Sequence, residues 1–152
     1  MSILTCPVCG ELLSNSKKAW ICPKNHSFDV AKSGYVNLLL SKHLGKTIHG
    51  DNKLMLQARK DFLEKGYYEQ LKNSLCDAVK KYFKGGNVLD AGCGEGYYTE
   101  AICESLKQLS ISSDIYGVDI SKTAVEMAAK RKSDATFVAA SVFHIPVQSE
   151  SC

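Results

Sequence analysis

Four side chains near the start of the sequence have the types and the spacing to hold a metal ion. Cys6-Pro7-Val8-Cys9 is followed by twelve residues and then by Cys22-Pro23-Lys24-Asn25-His26. Three thiols and an imidazole suit tetrahedral zinc, with Zn–S of roughly 2.3 Å and Zn–N of about 2.0–2.1 Å. Four protein ligands leave no position for water, so the expected site is structural rather than catalytic. Gly10 follows the first knuckle and supplies the permissive backbone such a turn needs. A redox Cys-x-x-Cys pair is the competing reading. It requires a helix N-terminus in a thioredoxin-like unit, and no helical pattern begins here. Lys17, Lys18 and Trp20 fall between the knuckles, where a hairpin tip would project. Two readings stand for them: a basic pair beside an aromatic that stacks a base, or a solvated turn with Trp20 covering the metal site.

The second chemical stretch is Val88-Leu89-Asp90-Ala91-Gly92-Cys93-Gly94-Glu95-Gly96-Tyr97-Tyr98-Thr99. A strand delivers the chain to a turn where Gly92 and Gly94 let backbone approach a ligand, and a helix with unsatisfied N–H groups follows. Asp119 ends the next strand, placed to accept hydrogen bonds from both hydroxyls of a ribose. A dinucleotide loop reads G-x-G-x-x-G and offers a helix N-terminus to pyrophosphate. Here Asp90 precedes the loop and Glu95 lies inside it. Two carboxylates repel a pyrophosphate but suit a cofactor bearing an amino group and a sulfonium, which favours S-adenosylmethionine over NAD. No Gly-Lys-Ser/Thr closes the turn, so a Walker phosphate loop is excluded.

These residues need elements to position them. Residues 1–28 carry few apolar side chains and need a staple, which a metal supplies. Residues 29–50 read as a connector. It has an apolar patch at Tyr35, Val36, Leu38, Leu39 and Leu40, then a polar stretch with Lys42, His43, Lys46 and His49. Asp51 is positioned to cap a helix whose Leu54, Met55, Ala58, Phe62 and Leu63 recur at helical spacing. A second helix is expected over 67–83, with Leu71, Leu75, Ala78, Val79 and Phe83 on one face. Strands are expected at 87–90, 115–119 and 136–139, with helices at about 96–107 and after Ser121. Strand–helix–strand–helix–strand implies an α/β fold with a parallel sheet. Three strands bury a sheet poorly, and the first would keep an unpaired edge. The expectation is therefore an incomplete sheet from a longer protein, exposing apolar surface or pairing with a second copy as a homodimer.

Composition sets the outer bounds. The 152 residues are 45% hydrophobic and 23% charged, with a formal net charge of +3, as expected for a globular protein with a core and a mild basic bias. No basic segment followed by a long apolar run succeeds Met1, and no apolar stretch approaches the roughly 20 residues of a membrane span. A cytoplasmic protein without membrane association is expected. Of the seven cysteines, Cys76 and Cys103 lie on apolar helix faces and are expected to be buried.

Val88–Thr99 resembles the first motif of class I methyltransferases. The block from Cys6 through Tyr98 is similar to the bacterial 23S rRNA (guanine-N1-)-methyltransferases. The matching features are C-P-x-C-x-x-x-L, C-P-x-x-H-x-F-D, A-K-x-G-Y-V-N-L-L, G-D near 50, M-x-Q-A-R near 55–59 and G-C-G-E-G-Y-Y-T. The resemblance implies a zinc ribbon over 1–36 that helps recognise a 23S rRNA hairpin. It also implies, over 37–152, the first half of a Rossmann-like domain that binds S-adenosylmethionine and methylates N1 of a guanine. Some members of that family confer macrolide resistance. It places zinc on Cys6, Cys9, Cys22 and His26, and the cofactor against Tyr68, Gly94 and Glu95, with Asp90, Gly92 and Gly96 in the same motif. By class I analogy Asp119 takes the ribose, and Ser141 stands where many such enzymes use Asp against the adenine amino group. No catalytic base is identified, and His144 reads as a surface residue. Two other classes compete: a zinc-stabilised RNA-binding fragment without catalysis, and a nucleotide-dependent oxidoreductase.

Overall fold

A computed structural model describes residues 2–40 and 52–152. The chain opens as a small antiparallel sheet. Its strands are β1 (Ser14–Asn15), β2 (Ala19–Ile21) and β3 (Ser27–Asp29), in that spatial order. The β1–β2 turn is tight: Lys17 is left-handed (φ 70°), and its N–H donates to Asn15 Oδ1 at 2.8 Å. Lys17 and Lys18 are exposed at this tip. Trp20 is not. At 5% exposure it lies in the core with Leu4, Val118 and Val138, so it cannot stack a base, and the reading in which it covers the interior beside the metal ligands holds.

The second sheet has four strands where three were expected. β5 (Gly86–Ala91), β6 (Ser113–Asp119) and β7 (Thr136–Ala139) fall where the sequence places strands. The addition is β4 (Val36–Asn37), which comes from the apolar patch of the connector and pairs parallel with β7, giving the order β4-β7-β6-β5. Two residues are too few to show the alternation that reveals a strand, and Val36 is pulled in by burial instead. The 36/37 division drawn from sequence falls within this strand. β5 takes the end of the sheet.

The ribbon and the second sheet share one core. Ile3, Leu4, Leu13, Trp20, Val36 and Leu38 pack with Tyr116, Val118, Val138 and Ala140. Thr5 N–H donates to Pro146 O at 2.9 Å and Gln148 N–H to Ile3 O at 2.9 Å, so the chain ahead of Cys6 is laced to the segment after β7. Each Val or Leu buried here contributes about 1.5–3 kcal/mol. On the other face, Val125, Ala128 and Phe137 enclose Cys93. Gly117 is required in β6, because a Cβ there would lie 2.7 Å from the Phe137 ring.

α1 (Lys53–Glu64) is capped by Asn52, whose Oδ1 accepts from Met55 N–H at 2.9 Å. The expected cap, Asp51, and the polar stretch with Lys42, His43, Lys46 and His49 lie outside the described residues. α2 (Glu69–Tyr82), α3 (Tyr97–Gln108) and α4 (Lys122–Ala129, capped by Ser121 Oγ) follow the expected pattern. The apolar faces of α1 and α2 depart from it. Leu56, Leu63 and Cys76 are buried, but Leu54, Phe62, Leu71 and Leu75 are exposed. Among the described residues α2 packs on α3 and α1 on α4, and these apolar side chains lie outside those contacts. A shallow groove of about 440 Å³, lined by Val79, Tyr82, Phe83 and Val88, opens between α2 and β5. Cys76 and Cys103 are buried, as expected. No helix among the described residues is long and apolar enough to cross a membrane.

Candidate metal centre and cofactor site

The fold brings Cys6, Cys9, Cys22 and His26 to one point. Their ligand atoms all lie within 4.8 Å of one another. Cys9 Sγ is 3.7 Å from Cys22 Sγ, and His26 Nδ1 is 3.5 Å from Cys6 Sγ and 3.4 Å from Cys22 Sγ. A tetrahedron with Zn–S of roughly 2.3 Å and Zn–N of about 2.0 Å has S–S edges of about 3.8 Å and S–N edges of about 3.5 Å. Three of the six separations match those edges and the other three lie within 4.8 Å, so the residues present fit a zinc ion. His26 meets it through Nδ1, the ring nitrogen nearer the backbone. Burial pushes the Cys22 thiol up, but the backbone N–H groups of His26 and Lys24 together with the Cys9 and His26 side chains hold it down at about 7, where a metal displaces the proton readily. The first knuckle turns back on itself, Gly10 N–H donating to Cys6 O at 2.8 Å.

The second candidate site lies at the C-terminal ends of adjacent parallel strands, where open α/β sheets bind ligands. β5 ends in the loop Gly92–Gly96, β6 in Asp119, and β7 in Ala140-Ser141; register pairs Ala91 with Val118 and Asp119 with Ala139. Asp119 holds the loop: Oδ2 accepts from Gly94 N–H at 3.0 Å and Oδ1 from Ser121 N–H at 2.8 Å. A carboxylate has about four lone-pair positions, so two remain for further donors. Ser141 is buried, and its Oγ accepts from Phe143 N–H at 3.3 Å, leaving the hydroxyl proton to donate. Asp90 sits beneath the loop and accepts from Thr99 Oγ1–H at 2.6 Å. Burial raises its pKa, Thr99 opposes this, and the Asp119 charge adds to the rise. Cys93 faces inward; burial, then the Asp90 and Asp119 charges, keep its thiol protonated, so it is no nucleophile.

Glu95 corrects the electrostatic reading. Its side chain is 2% exposed and turned away from the strand ends into an ion pair with Arg131, which donates from Nε at 2.8 Å and also from Nη2. A carboxylate neutralised in this way contributes little field at the loop, so the acidic character rests on Asp90 and Asp119. Residue type was legible in the sequence; side-chain direction was not. Tyr68 stands just before α2, 45% exposed, its ring 5.8 Å from Phe62. His144 is exposed at the end of a short 3-10 turn, Val142–His144. Gly96 is fixed by packing: it is left-handed (φ 84°), and a Cβ would lie 2.9 Å from that of Ala128. A cavity of about 440 Å³ lined by Glu64, Glu69, Lys72, Tyr97, Glu100 and Arg131 opens on the helical side and includes none of Gly92, Gly94, Asp119 or Ser141.

Sequence reasoning missed Arg131 and Thr99. Arg131 is one of only two arginines, beside Arg59, in a chain rich in lysine, which is the one signal that sets it apart.

Two family models match this chain. Residues 4–43 match the N-terminal zinc ribbon of RlmA, and residues 83–152 match a methyltransferase domain. The chain is thus similar to an RlmA zinc ribbon in its first part and to a methyltransferase domain in its last. Relatives named for one activity match most of its length. The 23S rRNA (guanine(748)-N(1))-methyltransferase of Streptomyces fradiae is 32% identical over 145 residues, 92% of this chain and 49% of its own. A Micromonospora griseorubida protein, provisionally named a 23S rRNA (guanine-N(1)-)-methyltransferase, is 33% identical over 147 residues, 84% of this chain and 47% of its own. The chain thus spans about half the length of the curated relatives it matches. The resemblance to this group is borne out, as is the α/β class I fold. Among solved structures, the plantazolicin methyltransferase BpumL with SAH is 26% identical over 64% of this chain and 37% of its own. Its TM-score of 0.47 is a partial overlap only.

Proposed function

We propose that this chain is the zinc-ribbon and cofactor-binding part of an S-adenosylmethionine-dependent methyltransferase acting on N1 of a guanine in 23S rRNA. One observation carries the reading. The glycine loop, Asp119 and Ser141 converge at three neighbouring strand ends in a chain whose first residues form a four-ligand zinc site. The division of labour is 1–36 for the metal module and 37–152 for the cofactor domain. Cys6, Cys9, Cys22 and His26 hold structural zinc.

S-adenosylmethionine, when bound, supplies the activated methyl group. The chain's own residues bind and orient. The two unused acceptor positions of Asp119 suit paired ribose hydroxyls. The remaining lone pair of Ser141 Oγ suits the adenine amino group, and the backbone at Gly92, Gly94, Glu95 and Gly96 borders the amino-acid tail. Asp90 faces that tail from below, and Tyr68 closes the outer edge. Glu95 serves through its backbone, since its carboxylate belongs to Arg131. The loop offers no built phosphate cradle: Gly94 N–H, the donor a phosphate would need, is taken by Asp119. On this reading the partner is a hairpin of 23S rRNA in the cytoplasm. The exposed Lys17-Lys18 tip supplies positive charge toward it, and the β5 edge is where a second copy would pair.

Calorimetric titration of the zinc-loaded chain with S-adenosylhomocysteine and, separately, NADH tests the cofactor. Binding of the first and not the second is expected; the reverse refutes the proposal. For the substrate, N1-methylguanine blocks Watson–Crick pairing and stops reverse transcription. A new cofactor-dependent stop in 23S rRNA is expected with the full-length protein, and its absence refutes the guanine assignment.

A further inference from the structure

We propose that Arg131 is the positioning residue of the cofactor loop, holding it in binding shape from behind by clamping it to α1 and α3; this rests on the cofactor reading above. The loop needs such a device. Gly92 and Gly94 are both left-handed and have open space where a Cβ would be, so side-chain packing does not fix them. Their N–H groups are tied on the strand side, to Val118 O at 2.7 Å and Asp119 Oδ2 at 3.0 Å. On the opposite side the loop is held by Arg131.

The guanidinium sits just past α4 with its side chain 9% exposed. Nε donates to both Glu95 O and Glu95 Oε2 at 2.8 Å, fixing backbone and side chain of one loop residue together. Nη1 donates to Glu100 Oε2 on α3 at 2.7 Å, and Nη2 reaches Glu64 Oε1 on α1 at 3.2 Å. Its Cζ lies 5.9 Å from the Tyr97 ring centre, a cation–π contact with the first residue of α3. Three carboxylates from three segments thus share one planar fork, a geometry that lysine cannot reproduce. A buried carboxylate such as Glu95 stays inward only while its counter-charge is present. Without Arg131, Glu95 would turn outward, and the peptide units of Gly94 and Gly96 on either side would turn with it.

The test compares four zinc-loaded chains: unsubstituted, Arg131→Lys, Glu64→Gln, and Glu95→Gln combined with Arg131→Met. The double variant removes the pair without leaving a buried charge, so the fold is expected to survive. Calorimetry with S-adenosylhomocysteine should show affinity lowered roughly tenfold by Arg131→Lys and by the double variant, and only a few-fold by Glu64→Gln. Hydrogen exchange of the ligand-free chains is the second readout. It should quicken at residues 94–96 and stay unchanged at Cys6, Cys22 and His26, a pattern that general destabilisation would not give. Failure of the unsubstituted chain to bind overturns the cofactor reading. Binding by the unsubstituted chain, with variants unchanged in affinity and loop exchange, overturns the clamp alone.

Discussion

Replacing Asp119 by alanine tests the cofactor site where its geometry is most explicit. In the ligand-free chain the change orphans two backbone N–H groups, those of Gly94 and Ser121, now bonded at 3.0 and 2.8 Å. Hydrogen bonds to a charged acceptor contribute about 1.5–3 kcal/mol each. Water reaches this half-exposed site and recovers part of that, so a stability loss of about 1–3 kcal/mol is expected from urea denaturation. Binding loses more specifically. The two acceptor positions proposed for the ribose disappear, and the loop is no longer held at Gly94. A further loss of about 1–3 kcal/mol corresponds to a dissociation constant raised roughly 5- to 150-fold. Calorimetry with S-adenosylhomocysteine reads this directly, on protein shown to be folded by circular dichroism. Asp119→Asn should not restore binding, because one of the two N–H groups faces an NH2 whichever way the amide is turned. An unaltered dissociation constant in a folded Asp119→Ala chain would refute both the ribose role and the argument from lone pairs.

Other perturbations have equally definite outcomes. Cys22→Ser, or zinc removal by a chelator, should unfold the ribbon, because metal-binding energy is folding energy in such modules; Trp20 fluorescence should shift to the red, and an unchanged spectrum with full zinc content would contradict this. Trp20→Ala should cost about 3–5 kcal/mol in urea denaturation, the range for truncating a buried aromatic, whereas a loss under about 1 kcal/mol would return Trp20 to the surface. Gly96→Ala meets Ala128 at 2.9 Å in a left-handed conformation and should destabilise by about 1–3 kcal/mol, measured by thermal unfolding. Asp90 has its pKa raised chiefly by burial, so the unfolded chain releases that proton first as pH rises. Stability should therefore fall as pH climbs from the ordinary carboxyl range of about 4 through the raised folded value. Asp90→Asn, which keeps an acceptor for Thr99, should flatten that part of the profile, and an identical slope in the variant would show that Asp90 does not titrate as described.

The sequence made the cofactor half legible because its signals are local. Val88 and Leu89 before three glycines, Asp119 closing a second apolar run, and Ser121 opening a helix each announce an element within a few residues. The metal site was readable for the same reason, spacing within two knuckles being enough. What stayed hidden depends on partners distant in the chain. Val36 and Asn37 form a strand only because β7 offers an edge, and two residues carry no periodicity of their own. Trp20 had two equal readings until the core it shares with Val118 and Val138 decided between them. Glu95 was recognised as acidic, but the direction of its side chain is set by Arg131, 36 positions later. The apolar stripes of α1 and α2 were correctly periodic, yet periodicity does not say how much of a stripe its neighbours cover.

The lacing of Ile3 and Thr5 to Pro146 and Gln148 bears on the order in which this protein assembles. The metal knuckles are made early in synthesis, but the residues leading into Cys6 cannot settle until the segment beyond β7 has been made and brought back across the sheet. Closing so long a loop is slow, and until it happens Leu4, Leu13 and Trp20 are left without the wall they pack against. A nascent chain would therefore hold reactive thiols and bare apolar side chains together. Early capture of zinc would shield the first, while the second wait for the distant partner.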